Sequence, residues 1–353
     1  MVGWWRRRSR GTKRRLVFYP VLAAVFAGFL AFMMAMPGRS HRGALAALDP
    51  EGERLAVRLR ADVTALAGAD GASPAVAGAR STGGERSQRV PGSLERAAVM
   101  IEGAFREDGY VVTRLPYASD GATVANLEAV LAGGSLAREV VVIGAHYDSA
   151  AGAPGADDNA SGVAAMLAIA RALSANKYAP ARTVRFVAFV NEEPPFFWNE
   201  GMGSLVYAKA CKARGDAIVG MLSLETLGYY RDEPGTQKYP PVVSWFYPDR
   251  GDFVGFVGNL GSRGLVRDAI GTFRSAVAFP SEGTALPSFV TGVGWSDQWS
   301  FWQVGYPAVM VTDTAPFRNP NYHRSSDTPD TLDYGRLARV TEGLVAVVKK
   351  LAE

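Results

Sequence analysis

A single cysteine, Cys211, in 353 residues rules out an internal disulfide, so the folded part must stand on its core or on metal. Histidine is almost as scarce, with His41, His146 and His323 making up the whole set. No segment repeats at a fixed period, which sets aside solenoids and propellers. Only 20% of residues are charged against 48% hydrophobic, an ordinary globular balance that excludes wholesale disorder. Acidic residues are absent from residues 1–15, where seven Lys and Arg crowd together. Without that tail, 31 basic residues face 34 acidic ones, so the formal charge of +4 belongs to the tail. This argues against nucleic acid as a partner, because a binding face carries its positive charge on the folded body.

Residues 16–36 (LVFYPVLAAVFAGFLAFMMAM) contain no charged side chain. At about 1.5 Å per residue a helix of this length reaches roughly 30 Å, the thickness of a bilayer core. The basic tail before it predicts a single-pass anchor at the cell membrane, with residues 1–15 cytoplasmic and everything after Pro37 outside. The alternative is a cleaved signal peptide and a secreted protein. The run is long for that, and its one A-x-A triplet, Ala44 to Ala46, lies beyond Arg39 and Arg42. Residues 37–94 read as a linker with one helix, rich in Gly, Ala, Ser and Arg, and the main folded domain is expected over 95–353. His41 reads as a solvated loop residue.

Within that domain four apolar runs stand out: 138–146, 182–193, 217–228 and 307–314. Continuous β-branched runs indicate strands buried on both faces. Helical spacing over 161–175 and 331–352, and from Ser93 as a possible cap, supplies the helices between and around them. The expected fold is α/β: a doubly wound, mostly parallel mixed sheet with helices on both faces, preceded by one transmembrane helix.

The polar residues collect where these runs end. The first closes on His146-Tyr147-Asp148, the second on Glu192-Glu193, the third carries Glu225, and Tyr322-His323 follow the fourth. The segment GADDNASG (155–162) adds Asp157 and Asp158. In open α/β sheets the ligand crevice lies at the carboxyl ends of the strands, so these residues can converge. Taken singly each has a plain explanation: adjacent aspartates mark turns, and a glutamate pair can simply be solvated. Together they make a cluster of carboxylates that would repel one another if buried uncompensated. A divalent cation resolves that conflict, and carboxylate with neutral imidazole is a donor set for zinc and its neighbours.

The motifs HYDS (146–149), ADDNASG (156–162), NEE (191–193), SLETLG (223–228), SDQWSF (296–301) and YHRSSDTPD (322–330), in this order, resemble the co-catalytic di-zinc exopeptidases, a family that includes bacterial zinc aminopeptidases and glutamate carboxypeptidase. The resemblance spans roughly residues 95–350. It implies two Zn2+ ions, with Co2+ or Mn2+ able to take the same shell. It implies His146, Asp158, Glu193, Glu225 and His323 as ligands, Asp158 bridging. It implies Glu192 as general base, Asp148 as the residue orienting His146, and Tyr322 as oxyanion stabiliser. Peptides would be the substrates, trimmed from the amino terminus. Two departures stand out: Glu225 sits where aminopeptidases often carry Asp, and PPFFWNEGMGS follows Glu193 in place of a short Gly-rich turn. The stretch 279–295 is a candidate for the pocket wall, and Phe196, Phe197 and Trp198 either join it or pack within their own loop. A glutaminyl cyclase, a carboxypeptidase and a non-catalytic receptor-like domain are the alternatives on the same fold.

Overall fold

The computed structural model describes residues 10–68, 84–240 and 243–353. Most of the basic tail, and the Gly/Ala/Ser-rich stretch at 69–83 expected as loop, lie outside the described residues. Helix α1 (Arg10–Met34) leads into an extended segment and then α2 (Pro50–Ala67), where Asp49 caps by accepting from the Gly52 N–H at 2.7 Å. Among the described residues no helix is long and apolar enough to cross a membrane. Helix α3 (Ser93–Glu107) starts after Gly92. Ser93 does not cap it, because its hydroxyl is engaged with the backbone of Ser87.

Eight strands form one sheet: β1 (Val112–Ser119), β2 (Ala122–Leu131), β3 (Leu136–His146), β4 (Arg182–Phe189), β5 (Ala217–Glu225), β6 (Val254–Gly258), β7 (Ser281–Ala285) and β8 (Ala308–Thr312). Their order is β1-β2-β4-β3-β5-β8-β6-β7. The four apolar runs are the four adjacent central strands β4, β3, β5 and β8, all parallel. Antiparallel pairings occur only outboard, at β1/β2, β2/β4 and β6/β8. Parallel sheets need cover on both faces, which is why these runs lack the polar alternation of a half-solvated strand.

The cover is asymmetric. Val141 and Ile143 of β3 point into the larger core with α2, α3, α4 (Gly162–Ala175), α6 (Arg263–Ala276) and α9 (Tyr334–Ala352). Val140 and Val142 point the other way, onto α5 (Gly203–Arg214) and Phe301 of α7 (Gln298–Gln303). A short α8 (Ala315–Arg318) follows β8. Helix α2 is thus part of the main core, although the sequence places it in a linker. The strands end earlier than the apolar runs do: β4 stops at Phe189, so Glu192 and Glu193 stand on the loop beyond it. His41 is half-buried rather than freely solvated.

Candidate metal centre

The sheet delivers its polar residues to one rim. His146 is the last residue of β3, Glu225 the last of β5, Glu192 and Glu193 follow β4, and His323 follows β8 and α8. The loop 155–161 carries Asp158 in from the turn before α4. Gly155 sits at φ 64°, and a Cβ there would lie 2.2 Å from the Asp158 carbonyl and 2.6 Å from Ser149, so only glycine fits the approach. Asn159 then pins the loop to the end of β5, accepting from the N–H groups of Gly162 and Thr226 (both 3.1 Å) and donating to the Leu224 carbonyl (2.8 Å).

Asp158 faces both histidines with separate oxygens. Its Oδ1 is 3.2 Å from His146 Nε2, which is also 3.2 Å from Glu225 Oε2. Its Oδ2 is 3.0 Å from His323 Nε2, which is 3.2 Å from Glu193 Oε2. Two donor groups result, His146–Asp158–Glu225 and Asp158–Glu193–His323, joined through Asp158. Donors about 2.0–2.2 Å from a tetrahedral zinc lie roughly 3.3 Å from each other, close to the spacings observed. His146 Nε2, Asp158 Oδ2 and Glu193 Oε1 are buried without an aligned hydrogen bond. Buried polar atoms are rarely left so. The donor atoms of each group lie within 4.8 Å of one another, an arrangement that suits a cation.

The electrostatics agree. Burial, reinforced by Asp158, raises Glu193 to about 7, against the pull of His323. Glu192 is held well above the ordinary carboxylate range, first by burial and then by Glu225 and Glu193, with His146 opposing. Burial disfavours charge on His323, but Asp158 and Glu193 win and lift it to about 10. Burial would raise Asp158 too, yet its two imidazole partners pull it below the usual range. The site lacks positive charge, and the imidazoles are taking protons to supply it.

Glu192 belongs to neither donor group; its Oε2 lies 3.8 Å from His146 Nε2. Asp148 lies beside the His146 imidazole and also serves the turn after β4. Its carboxylate accepts from the N–H groups of Glu192 (3.2 Å) and Glu193 (3.0 Å), fixing that turn. The atom nearest His146 Nδ1 is the Asp148 carbonyl oxygen at 3.2 Å, with the carboxylate at 3.6 Å. The ring of Tyr322 stacks on His323 at 3.9 Å between centroids. Its hydroxyl stays protonated, because burial and the surrounding carboxylates raise its pKa well above the phenol range. Asn191, Thr226, Thr314 and His323 all adopt φ between 45° and 70°. Such left-handed backbone costs a non-glycine residue of order 1 kcal/mol or more, and here it clusters at the site.

Several supporting residues carry no signal in the sequence. Arg86, fully buried, donates to the carbonyls of Tyr147 (2.7 Å), Pro154 (2.5 Å) and Gly155 (2.9 Å). Asp327 accepts from the N–H groups of Asp157 and Asp158, at 3.0 and 3.2 Å. Asp157, which faces away from the metal groups, accepts from Gly228 N–H (2.9 Å) and Asn319 (2.8 Å). Ser296 donates to Glu225 at 2.6 Å. Asp327 and Ser296 at least fall inside the motifs DTPD and SDQWSF; Arg86 sits in a stretch that reads as loop.

A cavity of about 110 Å³ adjoins the centre at Glu225 and Tyr322. Phe253, Phe256, Val290, Trp295, Met310 and Phe317 make it mostly apolar. Residues 281–285 of the expected pocket loop are strand β7, and the rest of 279–295 supplies one wall. Phe196, Phe197 and Trp198 do not line it. Phe197 stacks on Trp198 and Trp198 on Trp299, with Trp198 donating to the Gly294 carbonyl.

The profile of peptidase family M28 matches residues 126–348, well over half the chain. The chain belongs to peptidase family M28. It is 38% identical over 265 residues to YfbL of Escherichia coli, described as uncharacterized, covering 72% of this chain and 80% of that one. Leucine aminopeptidase 1 of Trichophyton equinum is 28% identical over 233 residues, covering 61% of this chain and 55% of the fungal protein, so the chain spans about half the length of that relative. In structure, this M28 member is similar to a zinc aminopeptidase of Bacillus subtilis (TM-score 0.64, 14% identity, 84% of this chain and 95% of that one). It is also similar to the glutaminyl cyclase of Fimbriiglobus ruber (TM-score 0.59, 19% identity, 90% and 99%). At such identities the likeness is one of fold.

Proposed function

We propose that the chain is a zinc-dependent aminopeptidase that removes apolar residues from peptide amino termini. The observation that carries this reading is Asp158, whose two oxygens are divided between His146 with Glu225 and His323 with Glu193, beside an apolar cavity. Membership of a peptidase family supports the hydrolase class, and the leucine aminopeptidase relatives support the polarity.

His146, Asp158 and Glu225 would hold one zinc and Asp158, Glu193 and His323 the other; Co2+ or Mn2+ suits the same donors. Bound there, the pair would supply Lewis-acid activation of a water and of the scissile carbonyl. Glu192 takes the proton from the attacking water and passes it to the leaving amine. Its raised pKa suits it to both halves of that transfer. Tyr322 donates to the oxygen that gains charge as the carbonyl is attacked. Asp148 keeps Glu192 and Glu193 in fixed relation by bonding both backbone N–H groups. The cavity receives the side chain of the terminal residue.

We propose in addition that α1 anchors the enzyme, with the catalytic domain on the far side of the membrane from the basic tail. Phe18, Leu22, Val25, Phe26, Phe29 and Phe32 expose their apolar surface along α1, which supports this. Resistance to carbonate extraction checks it; release into the wash would remove the anchor from the proposal.

The central test is metal content together with chromophore release from aminoacyl anilides. About two ions per chain with release from leucyl anilide supports the aminopeptidase. One ion, no release and cyclisation of an amino-terminal glutamine would instead favour the cyclase reading that the Fimbriiglobus likeness keeps in view.

A further inference from the structure

The segment joining α1 to α2 is held against the far end of the cavity. Arg263 donates to the Phe32 carbonyl (2.7 Å), Arg267 to Ala35 and Arg274 to Pro37 (2.9 Å), so α6 grips three successive points of the segment. Met33 is buried. Met36 packs against Gly283 of β7, where a Cβ would come within 2.9 Å of its Cγ. Ser40 accepts from the Ser281 N–H at 2.9 Å and bonds the Glu282 carboxylate. The unpaired edge of β7 is thereby covered by residues some 240 positions earlier in the chain.

That edge strand is also a wall of the cavity. Glu282, Gly283 and Thr284 line the cavity on one side, while Glu282 and Gly283 meet Met36 and Ser40 on the other. The strand register sets the depth. Glu225 pairs with Thr312, Thr312 with Gly255, and Gly255 with Glu282, so one row crosses β5, β8, β6 and β7. Three strand spacings of about 4.8 Å place Glu282 roughly 14 Å from Glu225. A long apolar side chain entering beside Glu225 runs toward β7, whereas a short one stops well before it.

We infer that residues 33–42 are a specificity-determining element, which sets the distal wall of the cavity by fixing β7. This rests on the aminopeptidase reading for its kinetic part and stands on the packing alone for its structural part.

The test is the full chain carrying Met36→Ala and Ser40→Ala together, with Ser40→Thr as the conservative control. Loss of the two Ser40 hydrogen bonds and the Met36 contacts should raise KM for leucyl and phenylalanyl anilides about five- to tenfold. KM for alanyl anilide should change less than about twofold, with kcat held. Amide exchange at Ser281, whose N–H bonds Ser40, should speed up in the double variant and stay slow in Ser40→Thr. Unchanged exchange overturns the inference outright. Faster exchange with all three substrates affected equally overturns its specificity part. Failure of the unaltered enzyme to cleave any aminoacyl anilide would instead count against the aminopeptidase reading, and the exchange result would still decide the packing.

Discussion

Replacing Arg86 with methionine keeps a long side chain but removes both its charge and its donors. The guanidinium is completely buried, and burial brings it down to about 10 while Asp148, Asp327, Asp158 and Glu193 hold it up. It satisfies three carbonyls within 2.9 Å, those of Tyr147, Pro154 and Gly155, at both ends of the loop that carries Ser149 to Gly155 toward Asp158. Leaving a buried acceptor unsatisfied costs about 1–3 kcal/mol. With partial relaxation toward solvent, the three together predict a loss of about 3–6 kcal/mol, a large share of ordinary domain stability. At roughly 2 °C per kcal/mol for a chain of this size, the melting midpoint should fall by about 6–12 °C. Metal affinity should fall with it, by about 10- to 100-fold, because the loop that positions Asp158 is slackened. Differential scanning calorimetry on the metal-loaded protein, with competitive chelator titration, reads both quantities. A midpoint within about 1 °C of the parent would refute the reasoning, since it would mean that the three carbonyls find water or other donors without cost.

Glu192→Gln should keep its metal content and lose turnover by about 10²–10⁴-fold on leucyl anilide; near-parental kcat would remove Glu192 from the proton transfer. His146→Ala and His323→Ala should each bind one ion fewer and Asp158→Asn should lose both, as measured by emission spectrometry; two ions retained in Asp158→Asn would reject the bridge. The chelated protein should become less stable as pH rises. Glu193, Asp297 and Asp327, at about 7 in the fold, and His323, at about 10, bind more protons folded than unfolded. The carboxyl effect therefore develops between about pH 4.5 and 7, and the His323 effect between about 6.5 and 10. Thermal melts of the metal-free protein at pH 5 and pH 8 check this, and a higher midpoint at pH 8 would contradict it.

The four central strands were legible because burial on both faces leaves an unbroken β-branched run, as in VVVI of β3. The remaining strands were not. VGFVG of β6 and SEGTA of β7 are short and glycine-rich, and VTRLPYAS of β1 is half-exposed with a proline, so none carries that signature. That these carboxylates and imidazoles would meet was legible from their order along the chain and from their position at or beside strand ends. The supporting layer was not, since Arg86 and Asp327 act on backbone carbonyls and N–H groups whose identity no side chain records. Asp148 shows the same limit, because nothing along the chain records that its carboxylate also takes the N–H groups of the turn after β4. Phe196 to Trp198 stood open between loop packing and pocket wall, because aromatic content alone does not say which way a loop folds.

Asp158 has a consequence for how the centre fills. One carboxylate serves both donor groups, so two ions bound there as proposed would not load independently. The first to arrive would take charge that the second would otherwise have had entirely to itself, yet it would also lock the shared side chain in the orientation the second needs. Occupancy should accordingly climb in two unequal steps, and dilution should strip one ion well before the other.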